Sequence, residues 1–294
     1  MNEPLPIVMA CGIARFDNVR EHLARFLKPI GISLPDSRHY FKGIRSHLEE
    51  AGHRIRHTKV SFAADVETRA SDLQEEIGRI LLETESKQVH LITHSMGGLD
   101  ARHMIVRNES MASAVHSLTT IGTPHWGSPV ADYLLEIGFG KWVSALKECL
   151  TMEGVHDLTT EACRQFNEIN EATEAENDVI YQTWSSCSDD VFWPLQFGAD
   201  IVTEREGPND GLVSRTSQRW KPVLEGGQDK IIRQHEFPFP ADHLNQLGWW
   251  GPADLEAPFH SLSTISRWKE SYRETEQKTK SVYQAIAAGL ATLN

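Results

Sequence analysis

Apolar runs rich in β-branched residues recur at positions 6–10, 54–62, 89–93, 118–121 and 179–184, each bounded by polar or turn-forming residues. These runs read as strands. Between them the apolar positions fall three or four apart. The clearest case is 64–83, where Val66, Ala70, Leu73, Ile77 and Leu81 share one face and charged residues fill the other, which predicts an amphipathic helix. Parallel strands need crossovers of about a dozen residues or more, and these helical segments supply them. The pattern therefore predicts an α/β fold, a mostly parallel sheet with helices on both faces.

From Trp126 to Asn177 the pattern turns to helix and loop without a strand, which marks an insertion between two strands of the sheet. Residues 129–160 of it are the expected cap or lid. The last stretch, about 258–294, is expected to be a helical extension packed on the sheet, with Ile265, Trp268 and Tyr272, then Val282, Ile286 and Leu290, at helical spacing. No internal repeat, low-complexity tract or Pro/Ser-rich linker divides the chain, so residues 1–294 are expected to form a single domain.

Composition narrows function mainly by exclusion. With 40% hydrophobic and 24% charged residues the chain is an ordinary globular one, and its formal charge of -12, with no basic run, argues against a nucleic-acid partner. No stretch approaches the ~20 apolar residues of a transmembrane helix. Met1 leads into an apolar segment without a basic leader, which favours a cytoplasmic protein, although a processed secreted chain carrying an added Met would look the same. The four cysteines, Cys11, Cys149, Cys163 and Cys187, form no CxxC pair and no zinc-finger spacing with histidine. Cys149 and Cys163 are spaced to close a short loop, but free thiols are the expectation without a secretory leader.

The candidate chemistry lies at Thr93-His94-Ser95-Met96-Gly97-Gly98, where a strand runs into a helix. A serine on such a turn is held in a strained conformation that needs small neighbours, and Gly97 and Gly98 supply them. Thr93 stands where the G-x-S-x-G pattern has its first glycine. Serine is a poor nucleophile at neutral pH, so it needs a base and an acid to orient that base, here expected downstream in the order serine, acid, histidine. Asp210 in Pro208-Asn209-Asp210-Gly211 and His243 in Ala241-Asp242-His243-Leu244 meet that order, in turn-rich segments. The competing acids are Asp189, Asp190 and Asp200; the competing bases are His235 and His260. An oxyanion also needs two backbone N–H donors, and Met96 and Ile13, the latter in Cys11-Gly12-Ile13-Ala14, are the candidates.

Five segments together resemble the true lipases of bacteria, the triacylglycerol lipases of Pseudomonas and Burkholderia and their fungal relatives. They are His94-Ser95-Met96-Gly97-Gly98-Leu99, Ile121-Gly122-Thr123-Pro124-His125-Trp126-Gly127-Ser128, Leu158-Thr159-Thr160-Glu161, Asn209-Asp210-Gly211-Leu212-Val213-Ser214 and His243-Leu244-Asn245-Gln246. The resemblance covers most of residues 5–250. It implies the α/β-hydrolase fold, Ser95, Asp210 and His243 as a catalytic triad, Ile13 and Met96 at the oxyanion hole, and a lid after Ser128. Two positions depart from the family: Cys11-Gly12 stands for His-Gly in the oxyanion loop, and Asn245 stands where many relatives carry a calcium-binding Asp. An amide is a weaker ligand than a carboxylate for a hard cation. Asp190 and Asn245 are therefore only weak calcium candidates, and no cofactor is expected to be required.

The resemblance implies a carboxylic ester hydrolase acting on a lipid or other ester, a triacylglycerol lipase or long-chain esterase. Tyr133, Leu134, Leu135, Ile137, Phe139 and Trp142 are expected to give the lid an apolar inner face and transient contact with a lipid interface. Alternative readings keep the same serine: an esterase for short or soluble esters, or an acyltransferase or thioesterase. A catalytically silent binding protein is the reading from another class, and Ser95, Asp210 and His243 together count against it.

Overall fold

A computed structural model describes residues 3–10, 12, 40–41, 43–58, 64–137, 152–250 and 262–293; of residues 152, 153, 194 and 262–272 it describes the backbone alone. Its strands are β1 (Ile7–Ala10), β2 (Ile55–His57), β3 (Val89–His94), β4 (Val115–Ile121), β5 (Ile180–Ser185), β6 (Val223–Leu224), β7 (Lys230–Ile231) and β8 (Arg233–Glu236). Six of them form one sheet in the order β2-β1-β3-β4-β5-β8, every neighbouring pair parallel, while β6 and β7 form a small antiparallel ribbon. The helices are α1 (Ile44–Glu50), α2 (Val66–Thr84), α3 (Gly97–Arg107), α4 (Glu109–Ala114), α5 (Pro129–Ile137), α6 (Met152–His156), α7 (Thr160–Glu176), α8 (Gln196–Arg205), α9 (Arg215–Gln218) and α10 (Leu262–Ala291). This is the α/β-hydrolase architecture.

Alternation along the strands splits the core into two layers. Ile7, Met9, Ile92 and Ile121 face Ile44 and Leu48 of α1 and Tyr283, Ile286 and Leu290 of α10. Val8, Leu91, Val115 and Leu118 face Leu73, Ile77 and Ile80 of α2 and Ala101, Met104 and Ile105 of α3. Strands buried on both sides are what a parallel sheet between helices requires. Helix α2 starts where Asp65 accepts a hydrogen bond from the Thr68 amide at 2.8 Å, an N-cap. Its core stripe ends on Ile80 rather than the predicted Leu81, which is only half-buried.

Two further differences are instructive. The run at 54–62 pairs with β1 only over Ile55–His57, and residues 59–62 of it lie outside the described residues. Strand β8, Arg-Gln-His-Glu, was not expected at all: it is an edge strand of polar residues whose place is set by pairing with β5, and no apolar run announces it. The insertion between β4 and β5 contains α5, α6 and α7 and, among the described residues, no strand. Leu134 of α5 is buried with Met96, Leu99, Val155, Leu158 and Val202, and Phe139 and Trp142 lie outside the described residues. Val282, Ile286 and Leu290 of α10 are buried as expected; Ile265, Trp268 and Tyr272 lie outside the described side chains. No helix among the described residues is long and apolar enough to cross a membrane.

The register aligns the carboxyl ends of the central strands, pairing Ala10 with Thr93, His94 with Ile121 and Ile121 with Trp184. Gly12, Ser95, Gly122 and Ser186 follow these ends at one edge of the sheet. That edge is where open α/β sheets gather functional side chains.

Candidate active site

Between β3 and α3 the chain turns at Ser95, whose φ of 56° lies in the left-handed region that non-glycine residues seldom adopt. Neighbouring backbone holds it there. The Ser95 amide donates to the Ile121 carbonyl at 2.9 Å, and the Ser95 carbonyl accepts from the Gly98 amide at 3.1 Å and the Thr123 hydroxyl at 2.8 Å. A Cβ on Gly98 would lie 2.2 Å from Thr123 Oγ1, and one on Gly12 would lie 2.6 Å from the His94 carbonyl oxygen and 2.7 Å from Ser95 Cβ. The small residues demanded by the turn are thus demanded by particular partners. Thr93 is accommodated because its buried hydroxyl donates across the sheet to the Thr119 carbonyl at 3.3 Å.

Ser95 Oγ lies 2.8 Å from His243 Nε2, and His243 Nδ1 lies 2.7 Å from Asp210 Oδ2. All three residues are buried. Asp210 sits in a tight turn of its own making: its Oδ1 accepts from the amides of Leu212 at 3.1 Å and Val213 at 2.9 Å, and Asn209 Oδ1 accepts from the Gly211 amide at 2.8 Å. The His243 amide donates to the Asp210 carbonyl at 2.8 Å, which ties the two loops together. A carboxylate on Nδ1 fixes the tautomer that leaves Nε2 free to accept the serine proton.

Three residues that the sequence patterns left without a role join this group. Gln246 Nε2 donates to Asp210 Oδ2 at 2.9 Å and to Ser186 Oγ at 2.7 Å, and its Oε1 lies 2.9 Å from His94 Nε2. Since the amide nitrogen faces the carboxylate, Oε1 is the acceptor and His94 donates from Nε2. His94 Nδ1 then accepts from Tyr40, whose hydroxyl is 2.7 Å away. The His94 ring lies 4.5 Å from that of His243. Burial, then the neighbouring His243, hold the His94 pKa well below that of a free imidazole, so it stays neutral. His94 and Gln246 belong to segments that carry the lipase resemblance, but nothing in their spacing says that they touch.

The other expected residues scatter. Met96 follows Ser95 at the amino end of α3, where backbone amides and the helix dipole favour negative charge, and the Cβ position of Gly12 is 3.1 Å from its amide nitrogen. Ile13 and His260 lie outside the described residues. Asp189, Asp190 and Asp200 are exposed, and His235 stacks on Trp184 at 4.7 Å. Of the two weak calcium candidates, Asp190 is exposed and Asn245 is buried. Asn245 is buried with Oδ1 taken by the Asp242 amide at 2.9 Å and Nδ2 donating to the Trp249 carbonyl at 2.9 Å. Among the described residues no cluster of three or more His, Cys, Asp or Glu side chains is placed to hold a metal. Cys163 is a buried free thiol donating to the Asp157 carbonyl at 3.4 Å, with burial pushing its pKa up to about 12; its expected alternative partner Cys149 lies outside the described residues.

The chain is similar to known proteins in sequence and in fold. A family profile described as PGAP1-like alpha/beta domain matches residues 64–187. Triacylglycerol lipase 2 of Saccharomyces cerevisiae is 33% identical over 218 residues, covering 71% of this chain, which in turn spans 62% of the yeast protein. A triacylglycerol lipase of Pseudomonas fragi is 23% identical over 84% of this chain and 89% of its own. Among solved structures, a Bacillus licheniformis lipase superposes with a TM-score of 0.61 at 18% identity, covering 82% of this chain and 85% of its own. The Staphylococcus hyicus lipase superposes with a TM-score of 0.59 at 16% identity, covering 99% and 96%. At those identities the superpositions speak for the fold, and the sequence matches speak for kinship. The chain is thus similar to triacylglycerol lipases over most of its length, spans about three fifths of the yeast relative, and has the fold of the lipase structures in its sheet and helices.

Proposed function

We propose that this protein is a serine ester hydrolase that cleaves carboxylic esters through an acyl-enzyme on Ser95, with long-chain esters such as triacylglycerols as its substrate class. The observation that carries the reading is the chain of contacts Ser95 Oγ to His243 Nε2 at 2.8 Å and His243 Nδ1 to Asp210 Oδ2 at 2.7 Å, on a nucleophile turn with φ of 56°. His243 takes the Ser95 proton as Oγ attacks the ester carbonyl, and Asp210 orients the imidazole and stabilises its charged form. The oxyanion of the tetrahedral intermediate is met by the Met96 amide, with the Ile13 amide as the second donor. The intermediate collapses as His243 gives the proton to the leaving alcohol. Water then repeats the sequence on the acyl-enzyme and frees the acid.

The lipase names of the relatives support a hydrophobic acyl group, as does Met96, next to Ser95, which is buried with Leu99, Val130 and Leu134. We read the insertion at about 129–160 as the lid. Tyr133 on α5 meets Phe197 of α8 edge-on at 5.8 Å, and Trp193, just before α8, is exposed, so apolar surface continues from the insertion onto its neighbour. Burial of Leu134 means that α5 itself is packed rather than free-standing.

Hydrolysis of p-nitrophenyl esters from acetate to palmitate tests the substrate class. Activity that persists to long chains is expected, and a sharp loss beyond butyrate overturns the long-chain reading. Stoichiometric labelling by a fluorophosphonate, mapped to Ser95, is expected for the nucleophile, and labelling elsewhere removes the assignment.

A further inference from the structure

We propose that Gln246, His94 and Tyr40 form a positioning relay that aims the acid Asp210 at His243; this rests on the triad reading above. The two carboxylate oxygens of Asp210 are held differently. Oδ1 is fixed by the Leu212 and Val213 amides of its own turn, whereas Oδ2, the oxygen that faces His243, has Gln246 Nε2 as its other donor at 2.9 Å. Where Oδ2 lies, and so where the imidazole points, is set by the Gln246 amide.

That amide is fixed on every side. Its second hydrogen goes to Ser186 Oγ, which itself donates to the Ala241 carbonyl at 2.7 Å. Its oxygen accepts from His94 and lies where a Cβ on Gly122 would approach to 2.2 Å, so Gly122, with φ of 58°, keeps open the space the amide occupies. His94 donates from Nε2 because Tyr40 donates to Nδ1 at 2.7 Å. Turning the Gln246 amide over would set its oxygen against the Asp210 carboxylate and its nitrogen against the His94 N–H, and the relay excludes that state. His94 adjoins Ser95 in the chain, so the same relay ties the nucleophile turn to the acid loop.

These three are positioning residues, and the test separates aiming from mere support. Gln246→Met keeps the volume and removes both donors. In the full chain it is expected to lower kcat for p-nitrophenyl butyrate roughly 10- to 100-fold with KM within about 2-fold, the loss of one hydrogen bond to a charged group that acts in the transition state. The downfield proton resonance of His243 Nδ1–H is expected to move or vanish. His94→Leu is expected to act in the same sense, His94→Gln, which keeps a donor toward Gln246, to recover most of that loss, and Tyr40→Phe to cost less than either Gln246→Met or His94→Leu. Unchanged kcat and an unchanged resonance in Gln246→Met overturn the relay. If Gln246→Met does not fold, equal kcat for His94→Leu and His94→Gln overturns it instead. Labelling of the unaltered protein by a fluorophosphonate keeps the two ideas apart: no labelling at Ser95 defeats the triad reading, whereas labelling with an indifferent Gln246 defeats the relay alone.

Discussion

At the scale of single residues, the site depends on what stands next to each functional atom. Ser95→Ala removes the proposed nucleophile and leaves the hydrogen bonds of its backbone in place, so turnover of a chromogenic ester is expected to fall roughly 10⁴-fold or more while the unfolding transition hardly moves. Gly98 is a packing requirement. A Cβ there would lie 2.2 Å from Thr123 Oγ1 and 2.6 Å from Thr123 Cγ2, and Thr123 is the residue that donates to the Ser95 carbonyl. Gly98→Ala is expected to destabilise by about 1–3 kcal/mol in urea unfolding, as overpacking does, and a second change, Thr123→Ala, is expected to return part of it. Additivity of the two changes would show that the clash is not the cause.

At the scale of elements, α3 is tied to α7 by a buried charge pair. Arg102 donates from Nε and Nη2 to the two oxygens of Glu174, both at 2.8 Å, and from Nη2 to Asn167 Oδ1 at 2.8 Å, with the Trp220 ring 3.9 Å from its guanidinium carbon. The pair anchors the helix that begins at the Ser95 turn to the helix that ends the insertion. Arg102→Leu leaves the Glu174 carboxylate buried without its partner, and a loss of roughly 3–5 kcal/mol in denaturant unfolding is expected. Adding Glu174→Met is expected to recover much of that loss, since an apolar pair has no charge to desolvate. On the other face of the sheet, Ile286→Ala in α10 opens a cavity among fully buried neighbours and is expected to cost about 2–5 kcal/mol.

For the molecule as a whole, neutral histidines, His94 and His125 buried and His103 half-buried, contribute to its behaviour in acid. Burial comes first among the causes that depress His94, His103 and His125, with Arg102 adding to the effect at the last two, and His103 is brought down to about 3. The unfolded chain takes up protons at these residues below about pH 6.5 while the folded one does not. Their stabilisation is therefore complete above pH 6.5 and is lost as pH falls toward the folded values, by up to about 1.4 kcal/mol per pH unit for each histidine. Urea midpoints at pH 8 and pH 5.5 are expected to differ in that direction, and His103→Gln is expected to shrink the difference. The buried Asp100 carboxyl, raised to about 7 by burial, works in the opposite sense, so the test is the difference between proteins: a pH dependence unchanged in His103→Gln would contradict a neutral ring at His103.

The alternation of apolar runs and helical stripes was enough to place β1, β3, β4, β5 and α2, because burial on one or both faces writes a period into the residues themselves. The order of Ser95, Asp210 and His243 was legible for a similar reason: each lies in a turn whose local chemistry is visible in its own segment. Strand β8 was not legible, since a polar edge strand is specified by pairing with β5 and carries no apolar period. Gln246, His94 and Tyr40 were not legible as a group either, because they stand 152 and 54 positions apart along the chain and meet only when the sheet aligns its strand ends. Local periodicity thus determined the layers, and local turn chemistry marked Ser95, Asp210 and His243 in their order. Only tertiary structure decided which polar groups share a proton, because hydrogen-bond partners are a property of distance in space rather than along the chain.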